Sequence, residues 1–500
     1  MKHLSKMLKG VVAALAAAAM ALTLVPSAFA AEATTYKLTL NGTATGHTYE
    51  AYQIFTGDLS KKEDGTKVLS NVKWGTGVTY TGTESAADVA KALGDKTMTI
   101  AQLEEKLTLT TPAKTVASAK DSTVIDGLAA GYYLVKDKDG SQADKNDAYT
   151  KFIVQVVGDT EADIKSGVPT VEKKVKDAND STGKTSGWQD SADADINDDV
   201  QYQITGTMPD NIADYTTYKY VFTDTMSKGL TYTDNNAKIT IGDKDVTSSF
   251  TEDVTTKEDG STVVTWTCDN LKGIKDVTLD KGTKVVVNYT AKLNEKAVIG
   301  AEGNPNTVDL TYSNNPNKGG EGETGKTPED KNIVFTYKTV VNKVDQDQQS
   351  LAGAAFKLEK KLANGSYQLV KEFTAGTETT FEFKGLDDGD YKLTETTTPA
   401  GYNTITPIEF TISAEHDTDS ADPKLISLNG KSDGEVDFGT QKATVDKDAG
   451  SLTTNVVNQK GSTLPSTGGM GTTILYVAGA AIVVAAGIGL AMRRNKRQNA

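Results

Sequence analysis

The sequence of 500 residues is poor in the side chains that most enzyme and metal sites require. It has one cysteine, Cys268, so no intramolecular disulfide can form, and we interpret Cys268 as a small buried residue beside Trp266. Of three histidines, only His47 and His416 lie beyond the first thirty residues, and neither has a metal-ligand spacing. We find no phosphate-binding glycine loop and no serine nucleophile elbow. The chain is therefore not expected to be an enzyme or to bind a cofactor or a metal.

Positive charge is also scarce. The chain has 53 Lys and Arg against 67 Asp and Glu, a net charge of −14 at pH 7. A surface of this sign repels phosphate backbones and anionic lipids, so nucleic acid is not an expected partner. The most acidic stretch, 190–199, departs from a calcium loop because Asp198 replaces the turn glycine and Ile204 replaces the bidentate glutamate. We interpret this stretch as a solvated loop.

Long apolar runs occur only near the two ends. Three lysines precede the first run, 11–25, and small residues at 28–30 close it, which predicts a signal peptide over 1–30. The alternative, an uncleaved anchor, is disfavoured because the run is short. The second run, 474–492, is long enough to cross a bilayer, and the basic residues at 493–497 mark its cytoplasmic side. The bulk of the chain is predicted to be exported.

Between these runs the sequence is typical of β-sandwiches, because short alternating segments rich in Thr, Val, Tyr and Ile are separated by turn residues. Two helices are predicted, at 84–95 and 99–107. Polar segments at 158–174 and 314–332 indicate boundaries. We predict an all-β fold of immunoglobulin-like domains, which we call the first, middle and last domains, at 31–164, 169–316 and 333–460.

A pentapeptide stands just before the second apolar run and basic tail: Leu464, Pro465, Ser466, Thr467 and Gly468. This order resembles the cell-wall sorting signal of Gram-positive surface proteins, LPxTG, over 464–500. The resemblance implies that a sortase cysteine attacks the Thr467 carbonyl, Gly468 leaves, and an amine receives Thr467. The chain would thus be a sortase substrate.

In the last domain, the alternation of YKLTETTTPAGY places Glu395 on the apolar face, where an unpaired charge is costly. This segment resembles the E-box of collagen-adhesin B-type domains, and flanking segments resemble their first and final strands. The resemblance implies an intramolecular isopeptide bond between Lys343 and Asn458, with Glu395 as the autocatalytic acid. A plain salt bridge between Lys343 and Glu395, or a Glu at a strand edge, is the alternative.

The middle domain resembles the isopeptide-forming second domain of backbone pilins. Val171, Lys173 and Val175 share one strand face, so Lys173 rather than Lys174 is the expected nucleophile, and Asp224 is the expected acid. Alternation does not separate two acceptors, Asn306 and Asn314. An Asn-Thr-Val strand start fits the family better, which favours Asn306. A salt-bridged or capping Asp224 is the alternative.

The first domain departs from this pattern. Asp137 corresponds to Glu395 when the GYYLVKD segment is laid on GDYKLTE, but the final strand offers Gln155 and no asparagine. We therefore expect no isopeptide bond there. The segment 46–59 nevertheless resembles the N-terminal domain of sortase-assembled backbone pilins.

In such pilins a lysine near the end of the first domain attacks the thioester of another subunit. The usual Tyr-Pro-Lys-Asn form is absent here, and Lys165 occupies the equivalent place, with Lys174 and Lys176 as the next choices. An ordinary solvated linker lysine is the alternative reading of Lys165.

Taken together, these segments resemble a major, shaft-forming pilin of Gram-positive sortase-built pili. The expected partners are other copies of the chain in a covalent polymer, a pilus sortase, minor pilins and peptidoglycan. The expected location is a surface pilus anchored to the cell wall, with the membrane anchor held only before sorting. A single-copy wall-anchored adhesin is the alternative, and it would lack only the linking lysine. The sequence indicates no particular host ligand.

Overall fold

A computed structural model describes residues 34–461 except 96, 143–145 and 165–166. The predicted signal peptide, Lys165 and the sorting signal lie outside these residues. Among the residues described, none of the helices is both long and apolar enough to cross a membrane. Strands dominate the chain, which confirms the predicted all-β fold of tandem sandwich domains.

The first domain combines several small sheets with two helices, and its apolar side chains form two adjoining clusters. Its strands are Thr35–Thr43, Thr48–Lys61, Lys67–Trp74, Val78–Tyr80, Leu107–Leu109, Lys114–Ala117, Asp121–Ala129, Gly131–Asp137, Lys151–Val156 and Thr160–Asp163. Its helices are Ala86–Gly94 and Ile100–Glu104. Both helices fall within the predicted segments.

The longer helix shows how local sequence fixes this domain. Ser85 caps its N-terminus by accepting a hydrogen bond from the Asp88 amide. Val89, Ala90 and Leu93 recur at helical spacing and are buried against the domain core. The helix therefore covers one face of the domain.

The middle domain is a sandwich of two main sheets that enclose one apolar cluster. One sheet contains Thr170–Val175, Asp199–Thr207, Leu230–Tyr232, Lys238–Ile241, Lys244–Asp245 and Lys284–Leu293. The other contains Ser191–Asp193, Tyr220–Met226, Thr251–Thr256, Thr262–Cys268, Asn304–Ser313, Thr324–Lys326 and Asp330–Phe335. A small ribbon pairs Ala178–Asn179 with Lys184–Thr185, and short 3-10 turns occur at Ile212–Asp214, Thr247–Ser249, Leu271–Gly273 and Pro316–Lys318. Cys268 is buried, as predicted.

The predicted boundary at 314–332 differs from the structure. Strands Thr324–Lys326 and Asp330–Phe335 both pair with Asn304–Ser313, so this segment extends the middle-domain sheet. Glycine is used here for close packing rather than for flexibility. A Cβ at Gly320, where φ is 99°, would lie 2.1 Å from the Thr217 carbonyl oxygen. Composition alone gave the appearance of a linker.

The last domain is a second sandwich with its own apolar cluster. One sheet has the order Thr380–Leu386, Tyr337–Asp345, Ser451–Asn458, Gln441–Asp446 and Asp433–Phe438. The facing sheet has the order Tyr367–Phe373, Ala355–Lys361, Gly389–Thr397 and Ile408–Ile412, and Ala414–His416 pairs with Leu425–Leu428. The first and final strands of the domain are parallel neighbours.

Candidate functional site

The middle-domain site lies between the two sheets. Lys173 projects from the first strand of one sheet, and Asp224 and Asn306 project from paired strands of the other. Alternation places each of them inward: Lys173 is in register with Ile204 of the core, and Asn306 is opposite Met226. All three side chains are fully buried.

Within this site the polar atoms converge on a phenol. Lys173 Nζ contacts Asp224 Oδ2 directly and lies 2.6 Å from the hydroxyl oxygen of Tyr289. The same hydroxyl donates to Asp224 Oδ2 at 2.8 Å and accepts a hydrogen bond from Asn306 Nδ2 at 2.9 Å. The aromatic rings of Tyr202 and Tyr289 line the site, and their centres lie 5.2 Å and 5.1 Å from Lys173 Nζ. The structure thus brings together the three residues that the sequence predicts.

The surroundings favour the neutral forms of this pair. Burial lowers the pKa of Lys173 and raises the pKa of Asp224, and in each case the charge of the partner opposes the shift. Asp224 Oδ1 and Asn306 Oδ1 are buried with no hydrogen-bond partner among the described residues. A neutral amine beside a protonated acid is the arrangement in which the amine can attack the Asn306 carboxamide.

The alternative acceptor, Asn314, lies elsewhere. Its Nδ2 donates to the backbone carbonyl of Asp147 at 3.1 Å, at the contact between the first and middle domains. Asn314 is buried there but makes no hydrogen bond to the Lys173 site. The geometry therefore favours Asn306 as the partner of Lys173.

The last-domain site has a different layout. Lys343 and Asn458 lie on the adjacent parallel strands of one sheet, where Lys343 is in register with Val456 and Asp345 with Asn458. Glu395 reaches them from the facing sheet. Asn458 Nδ2 donates to Glu395 Oε1 at 3.0 Å and to Oε2 at 3.2 Å. Lys343 and Asn458 are fully buried, and Glu395 is nearly so.

Lys343 is not ion-paired with Glu395 within 4.0 Å, so the alternative of a plain salt bridge does not describe this site. Its Nζ donates to the carbonyls of Val344 and Val456 at 3.0 Å and 2.9 Å, which orients it beside the final strand. Burial lowers the pKa of Lys343 to about 8, although the charge of Glu395 opposes this. An amine with a pKa of about 8 is uncharged in about a tenth of the molecules at pH 7, far more than an ordinary lysine.

The first-domain acid has different neighbours. Asp137 is fully buried, lies 3.0 Å from His47 Nδ1 and accepts a hydrogen bond from the Thr150 amide at 2.6 Å. In the described part of the chain it has no ion pair with a lysine. Gln155 is half-buried on a strand next to the one that carries Asp137. The structure does not bring these groups to a lysine.

Two of the three candidate linking lysines can be placed. Lys174 Nζ lies 2.6 Å from Asp190 Oδ1 and 3.3 Å from Glu172 Oε1. Lys176 Nζ lies 4.8 Å from the centre of the Trp188 ring. Lys165 lies outside the described residues, in the gap between the strands Thr160–Asp163 and Thr170–Val175.

The prediction of a solvated loop at the acidic stretch 190–199 is wrong. Ser191–Asp193 is a buried strand parallel to Asp330–Phe335, and the stretch packs against the last domain. Gly385, where φ is 74°, approaches so closely that a Cβ would lie 2.2 Å from Ile196 Cδ1. Cations from the last domain, chiefly Lys360, stabilise these carboxylates. These cations are distant from 190–199 in the sequence, so the local composition did not reveal them.

Among the described residues, the same junction has three groups whose ligand atoms are close enough to share a cation. Two consist of carboxylates and include Asp195 and Asp387, and the third combines Asp177 and Asp193 with His416. Lys360 Nζ lies 2.6 Å from Asp195 Oδ2 and 3.0 Å from Asp387 Oδ2, so a lysine already supplies positive charge there. Burial raises the pKa of Asp193 to about 7.

One residue of the middle site was missed by the sequence analysis. Tyr289 belongs to the strand Lys284–Leu293, whose alternation places it on the buried face with Val285 and Val287. This pattern was readable in the sequence. Its proximity to Lys173 was not, because local alternation does not fix which residues of facing sheets meet.

Comparison with known families gives three matches. Residues 196–316 match the Gram-positive pilin backbone subunit 2, Cna-B-like domain. Residues 338–424 match a prealbumin-like fold domain, and residues 456–499 match the LPXTG cell wall anchor motif.

Whole-chain comparisons agree with these matches. The trypsin-resistant surface T6 protein of Streptococcus pyogenes is 25% identical over 397 residues, which are 66% of this chain and 70% of that protein. The structure of the T6 backbone pilin, described as modular with three domains, has a TM-score of 0.52 at 19% identity over 86% of this chain and 100% of that one. The full-length major pilin SpaD of Corynebacterium diphtheriae has a TM-score of 0.48 at 20% identity, over 86% and 98%.

Proposed function

Since the chain belongs to the Gram-positive backbone pilins and carries an LPXTG cell-wall anchor motif, we propose that it polymerises through an amide bond between Thr467 of one copy and Lys165 of the next. A pilus sortase would form a thioester at Thr467, release Gly468 and transfer the acyl group to the lysine amine. Repetition of this step builds a head-to-tail fibre that does not close on itself.

The observation that supports a mechanical role is that two successive domains each contain a buried site of a lysine, an acid and an asparagine. In each, the lysine amine attacks the asparagine carboxamide, a new amide forms, and ammonia leaves. Asp224 serves the bond between Lys173 and Asn306. Glu395 serves the bond between Lys343 and Asn458.

The two bonds would carry tension differently. In the last domain, Lys343 lies in the first strand and Asn458 ends the final strand, so a cross-link there lets tension bypass the whole sandwich. In the middle domain, the cross-link would join the two sheets between Lys173 and Asn306. The strand Asp330–Phe335 lies outside the segment that this cross-link closes, so it would still bear tension. Cross-links of this kind also restrict the unfolded chain, as disulfides do.

The partners that follow are other copies of the chain, a pilus sortase, minor pilins and, for the basal subunit, peptidoglycan. The pilus lies at the cell surface and is anchored to the wall. The proposed chemistry is a single intramolecular event in each domain, so the chain turns over no external substrate and acts without a cofactor. No host ligand is assigned.

Intact mass tests the internal bonds. The exported chain, cut at the signal peptide and before the sorting signal, should be lighter than its sequence mass by about 34 Da, two molecules of ammonia. A loss of about 17 Da would leave one bond, and an unchanged mass would contradict both.

A denaturing gel of cell-wall extract tests polymerisation. We expect a ladder that survives boiling in detergent and collapses to monomer in Lys165→Ala. Lys62→Ala, which removes an exposed lysine of the first domain, is the matched control and should keep the ladder. A ladder that persists in Lys165→Ala would move the link to Lys174 or Lys176. A monomer in the wild type would indicate a single-copy adhesin instead.

A further inference from the structure

The hydroxyl of Tyr289 contacts every reacting group of the middle-domain site. It lies 2.6 Å from the nucleophile Lys173 Nζ and 2.9 Å from Asn306 Nδ2, the nitrogen that must leave as ammonia. It also donates to Asp224 at 2.8 Å. A phenol has one donor and two acceptor positions, and these three contacts use all of them.

We propose that Tyr289 is a catalytic residue of isopeptide formation, which relays a proton from Lys173 Nζ to Asn306 Nδ2. The proposal rests on the bond between these two residues that is proposed above. It adds a fourth member to the lysine, acid and asparagine set.

The chemistry requires a proton transfer between the two nitrogens. The lysine ammonium first gives a proton to Asp224, and the neutral amine then adds to Asn306 Cγ, with the acid hydrogen-bonded to the carboxamide oxygen. The new nitrogen now carries one proton too many, while Nδ2 has become an amine with a lone pair. For the Cγ–Nδ2 bond to break with release of ammonia, a proton must pass from Nζ to Nδ2.

Tyr289 is placed for this transfer. Once Asp224 holds the lysine proton, the phenol hydrogen turns from Asp224 to the lone pair that Nδ2 has gained. The phenol oxygen then accepts the proton from Nζ as this hydrogen passes to Nδ2, so the phenol is regenerated. The bonds balance: Nζ–Cγ forms, Cγ–Nδ2 breaks, and ammonia is the only product lost. Burial and the charge of Asp224 raise the pKa of Tyr289, so the phenol remains protonated before the reaction.

The last-domain site lacks this feature. There Lys343 Nζ donates to two backbone carbonyls, and Asn458 Nδ2 donates to both oxygens of Glu395. The carboxyl group of Glu395 therefore contacts the leaving nitrogen of Asn458 directly. In the middle domain, the Asn306 amide nitrogen hydrogen-bonds to the phenol, which explains why only this site needs an additional group.

The test is a time course of Tyr289→Phe. The exported chain is synthesised in a cell-free reaction, quenched in acid at intervals and weighed intact, so that each bond appears as a loss of about 17 Da. Proton-transfer groups typically contribute 10²- to 10⁴-fold, so we expect the middle-domain bond to form about a hundredfold more slowly or more. The last-domain bond should form at the wild-type rate, which provides an internal reference in the same sample.

Tyr220→Phe is the matched control. Tyr220 is fully buried in the same core, and its hydroxyl makes no hydrogen bond to any described residue. This variant removes the same atom and should form both bonds at the wild-type rate. Equal rates in Tyr289→Phe and Tyr220→Phe would overturn the proposal.

A second variant separates chemistry from folding. Replacing Tyr289 by 3-fluorotyrosine keeps the ring and hydroxyl but makes the phenol more acidic. We expect the middle-domain bond to form at a rate different from that of the wild type while the last-domain rate is unchanged, whereas equal middle-domain rates would contradict a relay. If the wild type itself lacks the middle-domain loss of about 17 Da, the proposed bond fails and the relay fails with it.

Discussion

Lys360 of the last domain places its ammonium 2.6 Å from the carboxylate of Asp195 in the middle domain. The same ammonium lies 3.0 Å from Asp387, which is fully buried. Two backbone amides also donate hydrogen bonds across this junction, Ile196 to the Gly385 carbonyl and Asp387 to Asp195 Oδ1. The junction between these domains is thus held by a buried cation between two acids.

We expect Lys360→Met to weaken this junction. Methionine replaces the aliphatic part of the side chain but leaves Asp195 and Asp387 without a cation. Removal of one partner from a buried pair typically costs about 3–5 kcal/mol. Hydrogen exchange at the Ile196 amide measures the change, because its bond to Gly385 crosses the junction. The exchange should become much faster in the variant.

Lys384→Met is the control for this change. Lys384 is 54% exposed and pairs with Glu382 on the surface of the same domain. Exposed pairs contribute about 0–1 kcal/mol, so exchange at Ile196 should hardly change. Equal exchange rates in both variants would show that Lys360 does not hold the junction.

The junction should lose stability as the pH rises. Burial raises the pKa of Asp193 to about 7, and neighbouring carboxylates, Asp177 and Asp388, add to the effect. The folded chain therefore binds a proton that the unfolded chain has released, and stability falls as pH rises from 5 to 8. The same carboxylates raise the pKa of His416, which acts in the same direction.

Calorimetry of the exported chain across this pH range tests the prediction. For Asp193 alone the loss is about 3 kcal/mol, because about two pH units lie between pH 5 and its pKa of about 7 and each contributes about 1.4 kcal/mol. Asp193→Asn carries no titrating proton and should have a smaller pH dependence. Stability that rises between pH 5 and pH 8 would contradict this account.

This junction also marks the limit of what the sequence could predict. Alternation and turn residues gave the β fold and the inward faces of Lys173 and Glu395, because every second residue of a strand points to the same face. Asp224 and Lys343 came only from the family resemblance. The environment of Asp193 depends on Asp388 and His416, which are distant in sequence. Local composition therefore indicated a solvated loop where the structure has a buried strand.

The choice between Asn306 and Asn314 shows the same limit at the two ends of one strand, because Asn306 lies near the start of Asn304–Ser313 and Asn314 directly follows it. Both have the parity of Val308 and Leu310, so periodicity treats them alike. They differ only in their position along the sandwich: Asn306 lies opposite Met226 beside the reacting pair, and Asn314 lies at the first-domain contact. Such differences are set by strand register across the sheet, which a single sequence does not report.

Glu395→Gln tests the acid of the last domain. The amide of glutamine cannot replace both carboxylate oxygens that receive Asn458 Nδ2, and it has no acidic proton to polarise the carboxamide. We expect the variant to be about 17 Da heavier than wild type after correction for the substitution, and the domain to lose about 2–5 kcal/mol, the range for removing a native disulfide. Mass spectrometry and calorimetry measure the two effects.

Glu409→Gln is the matched control, since Glu409 is exposed on a strand of the same sheet and receives a hydrogen bond from Tyr367. It should keep the wild-type mass loss and melting temperature. A bond that still forms in Glu395→Gln would show that burial of Lys343 is sufficient without the acid.

The acceptor of the middle domain is tested by a pair of alanine variants. Asn306→Ala removes the carboxamide beside Lys173, so the chain should keep the ammonia that wild type loses, about 17 Da. It also leaves Lys173 and Asp224 as a buried pair with no cross-link between the sheets, so trypsin should cleave the domain more readily.

Asn314→Ala should retain the mass loss because the Asn314 side chain contacts Asp147 rather than Lys173. Its expected effect is confined to the contact between the first and middle domains, where hydrogen exchange should rise. If Asn314→Ala alone abolished the mass loss, the acceptor would be Asn314, and the positions of Asn306 and Tyr289 beside Lys173 would have no role in the bond.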